Sequence, residues 1–284
     1  MLVDLIMCRF AALTVSDPVL VKETLLKLKE AARVDPMGPS GVVDHSDGWG
    51  LAVMQGNPRD GVLTLYKATK PIYSDSSFNT MLELITQSKG VVYSGVVHVL
   101  NADDKSVVNT ITVHPVNAQV SDGELYLVHN GVVDKFKVYE YLRSKYGVRL
   151  RVELMNDTYV LAQLLARIYD DTGDLSHVLS RLAGLIRDGN WLKSALNTGI
   201  LLIKPSAVNV YVTSMYSSSV LSNEKRRKYY NLFMIKSSLG AVMASSTLIK
   251  AYGLGNGTVD EVEPKGNELI QCELSLNSIN CQEA

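Results

Sequence analysis

The sequence predicts an α+β fold, and three observations predict it. Strand-like segments gather at both ends of the chain, helical spacing gathers in the middle, and no strand–helix alternation of the kind that builds a parallel sheet runs through it. Two apolar, mainly antiparallel sheets packed face to face and covered by helices satisfy all three. No internal repeat and no linker divides the chain.

A strand follows Cys8, through the apolar run Ala11-Ala12-Leu13. Asp17-Pro18 then supplies an N-cap and a proline at the first helical position, and Val21, Leu25, Leu28 and Ala32 share one face, so a helix of about four turns follows. Proline and glycine in 35–41 end it in a loop. His45-Ser46-Asp47-Gly48-Trp49-Gly50 reads as a tight turn into a strand at Leu51–Met54. A strand over 62–66 and a short helix over 78–85 come next. Residues 90–100 hold valine at five of eleven positions, which marks a buried strand.

After a polar loop over 101–109 comes Val113-His114-Pro115. A strand over 125–128 stops at His129-Asn130-Gly131, because Asn-Gly is a hairpin pair. Helical spacing covers 135–146, 157–169 and 176–186. Strands return at 200–203, 208–213, 232–235, 241–244 and 269–276. Between them Lys225-Arg226-Arg227-Lys228 lies in a segment, 217–230, that reads as a solvated loop.

Composition excludes several classes. The 284 residues, 46% hydrophobic, can bury a sizeable core, and a net charge of −1 argues against nucleic acid or an acidic membrane as the partner. No run of 18 apolar residues offers a membrane span. Cys8, Cys272 and Cys281 are odd in number and scattered, which suggests neither a disulfide framework nor a zinc site, and a reducing, cytoplasmic setting fits. No cofactor is called for.

Cys8, in Met7-Cys8-Arg9-Phe10, is the candidate for chemistry. An unperturbed thiol is mostly protonated at neutral pH and needs a base; were Cys8 the first residue, its α-amino group, with a pKa near 8, would be that base. Met1–Met7 therefore reads either as a short leader removed before Cys8 or as sequence upstream of a true start at Met7, leaving 8–284 as one domain. The alternative is a small hydrophobe on a buried strand.

Lined up behind Cys8, His45 to Gly50, His98, His114-Pro115, His129-Asn130-Gly131 and Asn156-Asp157-Thr158, with a weaker echo at Ala244-Ser245-Ser246, resemble the ordered motifs of the class II glutamine amidotransferases. These are N-terminal-nucleophile hydrolases, and the resemblance is to their stand-alone members over roughly residues 7–165. It implies a four-layer αββα sandwich and a cysteine amidohydrolase. Cys8 would attack the side-chain amide of glutamine or a γ-glutamyl compound, pass through a thioester and release ammonia or an amine to a small molecule or a separate synthase subunit.

The resemblance places the oxyanion hole on Asn130 and Gly131 and the substrate's α-ammonium on Asp157, which could equally be a helix cap. It gives His45, Asp47 and Trp49 a pocket-shaping role, counts His129 with Asp157 among the substrate-binding residues, and keeps His98 and His114 as supporting groups. One position departs. Where the family carries an arginine for the substrate carboxylate this chain has Leu100, and Asp103 nearby would repel a carboxylate, which leaves Lys105 and Arg9 as the nearest replacement cations. Two rival readings follow: a binding module that kept the fold and lost the chemistry, and a metal-dependent hydrolase built from His45, Asp47, His98, His114 and His129.

Overall fold

A computed structural model describes residues 8–255 and 257–284; Met1–Met7, on which the leader reading falls, lie outside the described residues. Thirteen strands form two antiparallel sheets among the described residues. The first sheet takes β1 (Arg9–Val15), β2 (Gly48–Gln55), β3 (Val62–Ala68), β4 (Tyr93–Leu100), β9 (Leu232–Ser237), β10 (Gly240–Ser245) and β11 (Thr258–Val262), ordered β11-β9-β10-β1-β4-β2-β3. The second takes β5 (Val116–Val120), β6 (Gly123–Val133), β7 (Leu192–Lys204), β8 (Ala207–Ser214), β12 (Ile270–Leu274) and β13 (Ile279–Glu283), ordered β13-β12-β8-β7-β6-β5.

Helices cover both outer faces. α1 (Pro18–Arg33) and α2 (Ser77–Thr86) pack on the first sheet through Leu25, Leu28, Phe78 and Ile85. α3 (Lys135–Tyr146), α4 (Asp157–Thr172) and α5 (Leu175–Gly189) cover the second through Val138, Leu142, Leu161, Leu165 and Leu179. A third apolar cluster, with Phe10, Ala12, Val96, Val128, Leu201 and Met243, fills the space between the sheets. The layers run helix, sheet, sheet, helix, as expected.

Alternation along the strands decides which side chains reach the middle. On β1, Ala11, Leu13 and Val15 face the helices while Phe10 and Ala12 face the opposite sheet. By the same parity Cys8 falls on the inner side and Arg9 on the outer. On β6, Leu127 faces the helices and Tyr126 and Val128 face inward, which puts Asn130 on the inner side.

Several expectations are corrected. The Asn130-Gly131 pair does not end a strand: β6 continues through it to Val133, with Asn130 opposite Asn197 on β7 and a bulge between Gly131 and Val133. Cross-strand pairing with β7 overrides the turn preference of the dipeptide. The basic segment is not a solvated loop; it forms α6 (Ser218–Leu221) and α7 (Glu224–Tyr230), capped by Asn223, and buries Tyr229 and Tyr230. The cap of α4 is Asn156, whose side chain accepts from Tyr159 N at 2.8 Å, and Asp157 is the first helical residue. Cys272 and Cys281, paired in register across β12 and β13, form a disulfide, which leaves Cys8 as the free cysteine. No described helix is long and apolar enough to cross a membrane. The remaining α8 (Ser246–Lys250) follows β10 directly.

Candidate active site

Cys8 sits at the start of β1, buried, with its Sγ 3.8 Å from the carbonyl of Asn101. Burial pushes its thiol up to about 12, so at neutral pH it stays protonated unless a base takes the proton. Its main chain is held at both ends. The Cys8 N–H donates to Asn130 Oδ1 at 3.3 Å, and the Tyr229 hydroxyl donates to the Cys8 carbonyl at 3.4 Å.

Asn130 is fully buried, and while its Oδ1 serves Cys8, its Nδ2 has no hydrogen-bond partner among the described residues. An amide donor left bare in the interior costs about 1–3 kcal/mol. The next residue, Gly131, has φ +146°, and a Cβ there would lie 1.8 Å from the carbonyl oxygen of Ala195. Only glycine lets β6 approach β7 this closely.

Cys8, His114, His129, Gly131 and Asp157 all line one cavity of about 220 Å³. One wall is apolar: Leu100, buried beside Cys8 and Val113, continues into Val107 and Val108. The opposite side comes from the end of β6, the start of α3 and the start of α4.

Asp157 is anchored by Val133 N on one oxygen (3.0 Å) and by Thr158 N on the other (2.8 Å). His129 Nε2 donates to the Ala195 carbonyl at 3.1 Å, and its Nδ1 meets Thr158 Oγ1 at 3.3 Å and lies 3.8 Å from Asp157 Oδ2. Behind it His98 Nε2 reaches the His129 carbonyl at 3.2 Å and His114 Nδ1 at 3.0 Å. Burial lowers His98 to about 3 and His114 well below the ordinary value, so both rings are neutral at pH 7.

The other sequence candidates stand elsewhere. Trp49 faces outward, packed on Tyr66 at 4.8 Å and donating to Asp75 at 2.9 Å. His45 is buried against Asp35 at 3.1 Å. Asp47 reaches the site only through the chain: it accepts from Ala102 N at 2.9 Å and so fixes the segment that crosses Cys8. Neither replacement cation faces the cavity. Arg9 is fully buried, with Nε 2.6 Å from Asp35, and Lys105 is exposed and paired with Asp47 at 2.9 Å. Among the described residues no three His, Cys, Asp or Glu side chains converge as a metal-binding group, so the five proposed ligands of the metal reading are not brought together.

Several contributors were missed. Tyr229 holds both Cys8 and Arg9, and Asp104, Asp134, Lys135 and Lys193 line the cavity. A signal for Tyr229 was present in the Tyr229-Tyr230 pair, too apolar to end a solvated loop.

No protein-family model matches the chain, and no curated protein matches it. Among solved structures it is similar to one described as a predicted glutamine amidotransferase from Pseudomonas aeruginosa PA01, with 11% identity, a TM-score of 0.44 and coverage of 98% of this chain and 97% of that one. At that distance the functional reading rests on the site's own geometry.

Proposed function

We propose that the chain is a cysteine amidohydrolase of the class II glutamine amidotransferase type, with Cys8 as an N-terminal nucleophile. The observation that carries the reading is the arrangement at Asn130: one end of its buried amide holds the Cys8 main chain, and the other end is a donor without an acceptor among the described residues.

In this mechanism cleavage of the peptide bond before Cys8 frees an α-amino group beside a thiol that burial keeps protonated. The amine takes the thiol proton. Sγ adds to the amide carbonyl, and the negative charge that develops on the oxygen is held by Asn130 Nδ2 and the Gly131 N–H. The C–N bond then breaks, ammonia or an amine leaves with the proton, and water hydrolyses the thioester to the free acid. A pre-placed oxyanion donor contributes about 3–4 kcal/mol to the transition state. Asp157 lines the same cavity and would take the substrate ammonium. Released ammonia would pass to a small molecule or to a separate synthase subunit.

Leu100 favours a second reading, a binding module on the same fold, because it replaces a charged clamp with an apolar wall. Intact-mass spectrometry of the native protein separates the two. A chain that begins at Cys8 supplies the base and supports the hydrolase; a chain that retains the preceding residues leaves the thiol without it and favours the binding module.

A further inference from the structure

The neighbours of His114 fix where its proton sits. His98 Nε2 lies 3.2 Å from the His129 carbonyl, which can only accept, so His98 carries its proton on Nε2. That N–H also faces His114 Nδ1 at 3.0 Å, and the main-chain N–H of His129 faces the same atom at 3.5 Å. With two donors in front of it, His114 Nδ1 is an acceptor, and the ring proton is on Nε2. The group beside Nε2 is Asn156 Nδ2, at 3.4 Å. That amide cannot be turned over, because its Nδ2 donates to the Thr112 carbonyl at 2.9 Å and its Oδ1 accepts from Tyr159 N at 2.8 Å. A donor therefore faces a donor. The His114 Nε2–H has no acceptor among the described residues, although the ring is 2% exposed, and both His114 and Asn156 line the cavity that Cys8 lines.

A cation stands on the same cavity. Lys135 Nζ donates to the Met155 carbonyl at 2.8 Å and makes no ion pair among the described residues, so its charge is not neutralised and further N–H donors remain. The carboxylates nearby are already held: Asp157 by Val133 N and Thr158 N, Asp134 by Lys193 at 3.1 Å, and Asp104 by Ser106 N at 3.0 Å, while Asp103 is exposed. A neutral N–H without an acceptor and an unpaired ammonium together suit an anionic oxygen. We infer that His114 and Lys135 receive a carboxylate of the substrate, and that the cavity thereby selects amides that carry one over amides that do not. His114 is then a specificity-determining residue rather than a supporting one. The inference rests on the amidohydrolase reading for its choice of an amide, but binding tests it apart from turnover.

The experiment is calorimetric titration of the full-length Cys8→Ala protein with glutamine and with 4-aminobutyramide, which is glutamine with hydrogen in place of the α-carboxylate. Glutamine should bind more tightly by at least about tenfold. In the same background His114→Asn keeps an acceptor where Nδ1 stands and removes the donor at Nε2. It should weaken glutamine by about tenfold and leave 4-aminobutyramide within about twofold, a split that a merely structural role would not produce. Lys135→Met, at the half-buried start of α3, should narrow the same ratio and reads it even if His114→Asn misfolds. Equal or tighter binding of 4-aminobutyramide by the protein with His114 and Lys135 intact overturns the inference. So does failure of glutamine to bind, or a loss in His114→Asn that falls equally on both ligands. Selective binding of glutamine without its hydrolysis by the unsubstituted protein would instead overturn the amidohydrolase reading and leave the selectivity intact.

Discussion

Cys8 and Arg9 are adjacent in sequence and both buried, yet they belong to opposite regions of the molecule. Cys8 lies on the inner side of β1, beside the Asn130 amide, whose Nδ2 has no partner among the described residues. Arg9 lies on the outer side, in a knot of charge: its Nε pairs with Asp35, its Nη1 donates to the Tyr229 carbonyl at 2.8 Å, and its guanidinium stacks on the Tyr229 ring. Asp35 gathers His45 and Thr247 as well. Burial alone would raise its carboxyl, but Arg9 and His45 hold it well below the usual range. Arg9 Nη2, like Asn130 Nδ2, has no hydrogen-bond partner among the described residues. What separates the two regions is the setting: Arg9 lies among counter-charges that hold the fold, and Asn130 lies beside a thiol that lines a cavity.

The contrast can be broken from either region. On the Arg9 side, Asp35→Ala removes the counter-charge of a fully buried guanidinium and should destabilise the protein by about 3–5 kcal/mol, read from chemical denaturation. A change under about 1 kcal/mol would show that the knot is not structural. On the Cys8 side, Asn130→Ala should lower amide hydrolysis by a factor of about 10²–10³ and shift the unfolding midpoint much less than Asp35→Ala does. If the two substitutions moved stability alike, the distinction between the regions would fail.

The histidines sharpen the comparison through pH. His98 is lowered to about 3 by burial, against an ordinary value near 6.5, and His114 is lowered too. The folded protein therefore binds fewer protons than the unfolded chain between these values. Their contribution is fully present above about pH 6.5 and is lost as pH falls toward 3. Thermal unfolding between pH 7 and pH 4 should show this slope, and His98→Gln should flatten it; an unchanged slope would show that other groups carry it. The smallest effect is expected at Asn156→Ala, which loses the α4 cap and costs about 1 kcal/mol, read from the unfolding midpoint.

Local signals made much of the fold legible. Asp17-Pro18 and the spacing of Val21, Leu25 and Leu28 gave α1 its start and its buried face, and valine enrichment located β4. Elements set by distant partners were not legible. The Asn130-Gly131 pair favours a turn locally, and only the register with Asn197 and Leu196 draws it into a long strand. Tyr229 reaches Cys8 across 221 residues, so no window of sequence connects them. The Cys272–Cys281 pairing depends on the β12–β13 register, which sets the two residues opposite each other. The cavity likewise forms only where the segment after β4 meets the starts of α3 and α4.

That Cys8 is a nucleophile is tested most directly by release of ammonia from glutamine and of methylamine from γ-glutamyl methylamide, comparing the protein with its Cys8→Ala variant at matched unfolding midpoints. The unsubstituted protein should cleave at least one of the two amides, and Cys8→Ala neither. Equal release by both proteins, or none from either amide by the unsubstituted protein, would contradict the mechanism.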